Sequence, residues 1–408
     1  MEKTFGSNTK LLIILALVAS VFIENILQLP HGPAVKVEKE DQVVYLPIDK
    51  QNTSLRDPTK LRKIVERDTH IVKGPETVIF DNDGILYILT EEANLVRLDD
   101  FKTDENDDMV ITARATTVAD LGVGRPLGGK FAKDGSLFVA DALMGLIRVR
   151  FSKNKPALVE LVASRTSATD ENPVPTQILY ADDVDIGPKT GHVYFSDAST
   201  VAPERIGTHS WDTLQASKIH FMKGLKSGRL LRYNPSTNVV DELARDIHFA
   251  NGVAVNADET FVLVSETFSA RVLKYHLVGE KRGELEVVLG ALPSLPDGAD
   301  CSFSTGLCYV PIPTRPIALV HLLNTLPSIL DQYLRTILMT LPRWLQPSVV
   351  PYGGVVEFSV TDSGGNILRV LQDPSGDTIR MLTGVTVFDG KVYLGSLENE
   401  YVGVYDLN

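Results

Sequence analysis

Six times along the chain a short apolar lead-in runs into a turn and then into a β-rich segment with an aromatic or apolar centre. These units begin at Gly74 (GPETVIFDNDGILYIL), Gly128 (GGKFAKDGSLFVAD), Asp182 (DDVDIGPKTGHVYFSD), Asn251 (NGVAVNADETFVLVSE), Asp297 (DGADCSFSTGLCYVPI) and Gly384 (GVTVFDGKVYLGS). Strand-like runs alternate with turns such as Asn82-Asp83-Gly84, Lys133-Asp134-Gly135 and Phe388-Asp389-Gly390,. One strand-turn-strand unit repeated in this way predicts an all-β, six-bladed β-propeller. Taking unit centres at Tyr87, Phe138, Tyr194, Val262, Tyr309 and Tyr393, the spacings are about 51, 56, 68, 47 and 84 residues, so the two long intervals contain insertions,.

The stretch from Thr200 to Lys226, rich in His, Ser, Thr and Lys, reads as a loop on one face,. In the other insertion, residues 317–345 place Leu and Ile three and four apart, with breaks at Pro327 and Pro342. That spacing predicts two short amphipathic helices. They serve either to cap a core or, being so apolar, as a membrane-facing lid over the propeller mouth.

At the N-terminus Lys3 and Lys10 precede the uncharged apolar run Leu11 to Ile23. This predicts an N-terminal apolar helix within residues 1–30, about 13 residues long and nearer to a signal-peptide core than to a full span. Two outcomes stay open, a cleaved signal peptide or a type II signal anchor. Both deliver the globular part to the secretory lumen or cell surface, and a buried N-terminal helix is the third reading. Residues 31–70 form a stalk in which Val43-Val44-Tyr45-Leu46 is the strand expected to close the ring, and 71–408 form the propeller. In that compartment the sequon at Asn52 is usable for glycosylation. Cys301 and Cys308, flanking a hairpin, either form a disulfide or fill two small apolar positions,.

A hydrophobic content of 44% over 408 residues suffices for a large core,. The net charge of −12 argues against a nucleic-acid partner, which needs clustered Lys and Arg,. If the units stand radially, Glu76, Asp182, Asn251 and Asp297 open inner strands that converge on one axis. Oxygen donors of this mixture suit Ca2+, and three carboxylates so close repel one another unless a cation relieves them. The same residue types also cap turns. His248, three residues before Asn251, serves either as a general base or as an ordinary strand histidine. No Gly-x-Ser-x-Gly elbow or phosphate loop occurs,.

The segments GRPLG at Gly124, VADA at Val139, VYFSD at Val193, GRLLRY at Gly228 and FANGV at Phe249 together resemble the strictosidine synthase-like family. The N-terminal apolar segment, the helical insertion and the ending DGKVYLGS at Asp389 bring the likeness nearest to its adipocyte plasma membrane-associated protein branch. The resemblance runs from about residue 70 to the C-terminus and implies a six-bladed propeller related to paraoxonases, gluconolactonases and phosphotriesterases. It implies an axial calcium ion held by Glu76, Asn251 and Asp297, with Asp182 where relatives usually carry Asn. By the same resemblance Asp297 is the catalytic nucleophile or water-activating base. Asp183, beside Asp182, is a second candidate, although neighbours on a strand point to opposite sides. Arg125 and Asp141, in the signature segments, read as braces of the blades through buried hydrogen bonds. The condensing enzymes of the family use a Glu in the final blade, and here Thr383 takes that place, which disfavours condensation.

The expected function is therefore calcium-dependent hydrolysis of a small ester, lactone or phosphotriester. The alternative is a non-catalytic binding or scaffold propeller, attached to membrane through the N-terminal segment and through residues 317–345.

Overall fold

Valine, isoleucine, leucine and aromatic residues dominate the strands, and burial falls along the four-stranded sheets from the first strand to the last. In the sheet made of Ala250–Val255, Phe261–Glu266, Arg271–His276 and Leu285–Leu289, every residue of the first strand is buried and the last is half exposed. A strand covered on both faces reads as a continuous apolar run, whereas an outer strand tolerates charge. The computed structural model describes residues 52–407 except positions 56, 58–59, 68–69, 169–172, 209, 316–318, 320–321, 324–325 and 347, and the side chains at 52 and 53. The chain is mostly β, with helix in the insertions.

Four-stranded antiparallel meanders recur. One holds Pro126–Phe131, Leu137–Asp141, Gly145–Arg150 and Leu158–Ala163, and the next Ala181–Ile186, Val193–Asp197, Gly228–Asn234 and Val239–Ile247. Asp300–Cys301, Leu307–Thr314, Pro351–Thr361 and Gly364–Asp373 form another, with Asn52–Ser54 added in parallel at its edge. In the eight-stranded sheet, Leu61–Glu66 pairs antiparallel with the C-terminal strand Tyr401–Asp406 and parallel with Val110–Asp120. This strand joins the two ends of the described chain. The sequence pattern had pointed to Val43 through Leu46, which lies outside the described residues, as does the N-terminal apolar run.

Neighbouring sheets meet along their first strands. The Gly252 N–H donates to the Asp297 carbonyl at 3.0 Å. A Cβ on Gly252 would stand 2.2 Å from the Gly298 carbonyl carbon, and one on Gly384 only 1.8 Å from the Glu76 carbonyl oxygen. Side chains there would push the sheets apart. Carboxylates complete the seams: Asp183 Oδ2 accepts from Val253 N and Asp185 Oδ2 from Val255 N, both at 2.8 Å, and Asp300 Oδ2 accepts from Val387 N at 2.7 Å.

The stretch from Thr200 to Lys226 is not merely a loop. It contains helix α1, Thr213–Lys223, whose first turn is capped by Asp212 Oδ1 accepting from Gln215 N at 2.9 Å,. Gly224, at φ 66°, ends it in the left-handed conformation that glycine adopts without a Cβ clash,. In the second insertion α2, Ser328–Thr340, starts immediately after Pro327 and ends before Pro342, as the sequence predicts. The partner helix expected ahead of Pro327 falls largely outside the described residues. Among the described residues no helix is long and apolar enough to cross a membrane.

Cys301 and Cys308 stand opposite each other in the Asp300–Cys301 and Leu307–Thr314 pair and are joined as a disulfide. Cross-linking so short a loop is worth about 2 kcal/mol through the unfolded chain. Replacing both cysteines by alanine should lower stability by about that much in denaturant titrations under oxidising conditions, and reductant should then have no further effect.

Candidate functional site

Two cavities approach each other along the first strands, and Glu76, Asp182, Asn251, Asp297 and Leu127 line both. Asp182 and Asn251 are the second residues of Ala181–Ile186 and Ala250–Val255, while Glu76 and Asp297 lie in the lead-ins to Val78–Phe80 and Asp300–Cys301. The four residues expected from the sequence to meet are thus brought together. Glu76, Asp182 and Asn251 are buried, and Asp297 is partly open to the cavities.

The electrostatics are those of crowded, desolvated anions. Burial pushes the Glu76 carboxyl up to about 7, against the pull of Arg125, whose Nη2 stands 3.4 Å from Glu76 Oε2. Asp182 is raised well above the ordinary range by burial and then by Asp297, Glu76 and Asp183. Asp297 is raised by burial and Glu76, partly offset by a hydrogen bond from the Asn251 side chain. The seam contacts of Asp183 engage its carboxylate with two backbone N–H groups, from Val253 and Val184. That makes it a brace between sheets and a poorer nucleophile than Asp297. The Arg125 carbonyl accepts from Ala142 N at 2.9 Å, within its own sheet. Asp141 accepts from Leu143 and Met144 N.

The donor set, three carboxylates and one amide, fits a hard divalent cation in chemistry. Among the described residues, however, no three His, Cys, Asp or Glu side chains stand in a metal-holding arrangement.

The two cavities differ. The wide one, 770 Å³, runs between the first strands and contains Lys130, with its Nζ 3.1 Å from Asp185 Oδ1 and 3.4 Å from Asp300 Oδ1. Burial alone would lower the Lys130 ammonium, but the two carboxylates outweigh it and hold it charged. The narrow one, 120 Å³, is walled by Tyr180, Phe249, Phe268 and Leu295 and roofed by Phe221 and Met222 of α1 together with Leu319 and Val349 of the second insertion. Tyr180 Oη donates to the Thr213 carbonyl at 3.2 Å, tying the cavity wall to the first turn of α1.

His248 lines neither cavity. It is buried between His220 and Phe268, with ring centroids at 5.6 and 5.7 Å, and neither ring nitrogen has a hydrogen-bond partner among the described residues. Burial and then His220 push its imidazole well below the usual range, so it is neutral at physiological pH. Thr383 is buried against the wide cavity, on the side away from the helices. Asn52 opens the edge strand Asn52–Ser54, and its side chain lies outside the described residues.

Sequence reasoning missed Lys130 and Tyr180. The alternation Asp183-Val184-Asp185 marked a strand face carrying two carboxylates, and a lysine after Gly128-Gly129 on the preceding first strand was the available partner.

The model of the strictosidine synthase family matches residues 182–280. Adipocyte plasma membrane-associated protein from Rattus norvegicus is 30% identical over 276 residues, covering 64% of this chain and 67% of that protein. The chain belongs to the strictosidine synthase-like family. Strictosidine synthase-like protein 3 of Arabidopsis thaliana is 27% identical over 375 residues, covering 89% of this family member and 88% of that protein. Among solved structures, a gluconolactonase from Xanthomonas campestris superimposes with a TM-score of 0.53 at 12% identity, covering 89% of this chain and 99% of that one. A calcium structure of an AA12-family carbohydrate-active enzyme from Trichoderma reesei gives 0.50 at 12% identity, covering 88% and 100%. These two likenesses show a shared propeller-type fold.

The raised carboxyls set a pH dependence whose sign follows from linkage. Glu76 keeps its proton in the folded protein up to about 7, whereas in the unfolded chain it loses it near 4.5. Between those values the folded state binds more protons, so stability falls as pH rises. In the presence of a chelator, the melting temperature should therefore drop from pH 5 to pH 8. Glu76→Gln should flatten that slope; an unchanged slope would show that Glu76 does not hold the proton.

Proposed function

We propose that this family member is a six-bladed propeller, each four-stranded meander one blade, and that it hydrolyses a small ester, lactone or phosphotriester with the help of Ca2+. The observation that carries the reading is the gathering of Glu76, Asp182, Asn251 and Asp297 between two cavities, with the three carboxyls pushed up by burial and by neighbouring acidic groups. Perturbed groups of this kind in a cleft favour a functional site. When bound there, Ca2+ would supply charge stabilisation at a carbonyl or phosphoryl oxygen.

The remaining work falls to the chain. Asp297 is the most accessible of the four and acts as nucleophile or water-activating base,. Glu76 and Asp182 are more deeply buried and would hold the ion. Asn251 orients Asp297 through its hydrogen bond. The aromatic wall of the narrow cavity keeps water from the substrate's apolar part,. His248, away from both cavities and neutral, contributes to packing in this reading. Thr383 cannot serve as an acid or base as the Glu of condensing relatives does, so condensation is not proposed.

The fold likeness to a gluconolactonase and to a calcium-bearing enzyme supports the reading, as do relatives named for membrane association, which fit a secretory or cell-surface location. The N-terminal apolar run would anchor the chain or direct its export, and the bonded cysteines suit that oxidising compartment,. A binding propeller is the second reading, favoured by the apolar roof of the narrow cavity.

A panel of aryl esters, lactones and phosphotriesters should be turned over in the presence of Ca2+, with activity lost on chelation and restored by the ion. Asp297→Asn should lower kcat at least about 100-fold with Ca2+ held at saturation, because removing the nucleophile or base costs far more than removing a binding contact. Calcium binding by calorimetry with no turnover across the panel would favour the binding propeller.

A further inference from the structure

Helix α2 is inside out. Its two charged residues, Asp331 and Arg335, are each only 1% exposed. Arg335 Nε donates to Asp331 Oδ1 and Oδ2 at 2.8 and 2.9 Å, while Nη1 donates to the Phe221 carbonyl at 2.6 Å and the guanidinium lies 4.5 Å from the Phe221 ring centroid. The apolar residues face out. Ile329 is 64% exposed and Tyr333 59%, with Leu330 and Ile337 also exposed, and Trp344 just beyond the helix reaches 80%. A helix on a water-facing surface carries the opposite arrangement, with apolar residues inward and charges outward. A contiguous outward apolar face of this kind marks a contact site.

The geometry points to a lipid bilayer as the occupant, docked on the outer face of α2 and the Trp344 turn. Charge decides between partners. Both ionic groups of the helix neutralise each other inside the fold, so the outward face offers hydrocarbon with no ionic group of α2, as an interfacial helix requires at the depth of the acyl boundary. The flanking Arg343 is paired with Glu204 and with Asp212, at 3.3 Å from Asp212 Oδ2. Trp344 and Tyr333 have the amphipathic rings that settle at the headgroup level. The chain ahead of the described residues agrees in length and chemistry. The apolar run Leu11 to Ile23 ends almost thirty residues before the edge strand Asn52–Ser54. Such a tether spans up to about 100 Å, enough for an N-terminus held in lipid to leave this face free to reach the same surface. Docking would place the roof of the narrow cavity against the membrane, because α2 packs on Phe221 of that roof. The proposal is independent of whether the protein hydrolyses esters.

Trp211→Phe leaves Trp344 as the sole tryptophan of the full chain. With phosphatidylcholine vesicles carrying a brominated lipid, Trp344 emission should move to shorter wavelength and be quenched on the vesicles with which the chain floats. Adding Ile329→Ser, Leu330→Ser and Ile337→Ser, all at exposed positions, should abolish the quenching while Trp344 emission in buffer stays as before. Three outcomes overturn the proposal: flotation with Trp344 unquenched, quenching that survives the three serines, and failure to float. Concentration-dependent shielding of Trp344 in buffer, lost with the serines, would assign the face instead to a second copy of the chain and also overturn it.

Discussion

Negative charge kept out of water is the constraint around which the molecule is organised. Three carboxylates and an amide are held between two cavities because the first strands of successive sheets approach so closely that backbone touches backbone. Gly252 against Gly298 and Gly384 against Glu76 mark contacts where even a methyl group has no room. Seam carboxylates such as Asp183, Asp185 and Asp300 spend their lone pairs on backbone N–H groups of the neighbouring sheet. These seam residues also line the wide cavity, and Asp183 is raised to about 7 as Glu76 is. For Glu76, Asp182 and Asp297 burial is the first cause of the raised carboxyl, and acidic neighbours add to it,.

The two cavities differ in chemistry. In the wide cavity Lys130 lies between Asp185 and Asp300 and offsets part of the negative charge there. A buried ion pair of this sort fixes geometry more than it adds stability. In the narrow cavity the walls are aromatic and aliphatic, and the polar groups converge at its inner end on Asp182, Asn251 and Asp297. A cavity with apolar walls and a few convergent polar groups is the form that small-molecule sites take. In the hydrolytic reading, the apolar body of a substrate would lie on the narrow side with its polar reacting group toward the carboxylates.

Much of this was legible in the sequence, for a definite reason. Glu76, Asp182, Asn251 and Asp297 each stand at or just before the opening of an inner strand, so once the repeat is recognised their convergence follows from radial geometry alone. The disulfide was legible as a pairing across a hairpin, though not as a certainty, because small apolar residues satisfy the same two positions. What stayed hidden depends on contacts between distant segments. Leu61–Glu66 joins the ends of the described chain, yet its alternation is no stronger than that of Val43 through Leu46. Helix α1 reads as a loop because its Thr, Gln, Ser, Lys and His residues carry little apolar periodicity, and its stability comes from the Asp212 cap, Gly224 and packing beneath α2. His248 lies three residues from Asn251 in sequence but behind the wall in space, since Phe249, at φ 70°, turns the chain between them.

Helix α2 shows the limit of periodicity itself. Spacings of three and four residues establish that a helix has two faces, but not which of them meets the protein. Asp331 and Arg335 sit four apart, a spacing that on most helices makes a weak pair in water. Here the pair is buried, and burying two charges is unfavourable unless each finds further partners. Arg335 finds the Phe221 carbonyl and the face of the Phe221 ring, both supplied by α1. The orientation of α2 was therefore decided by a helix more than a hundred residues earlier in the chain. With the charges committed inward, Ile329, Leu330 and Ile337 were left facing out.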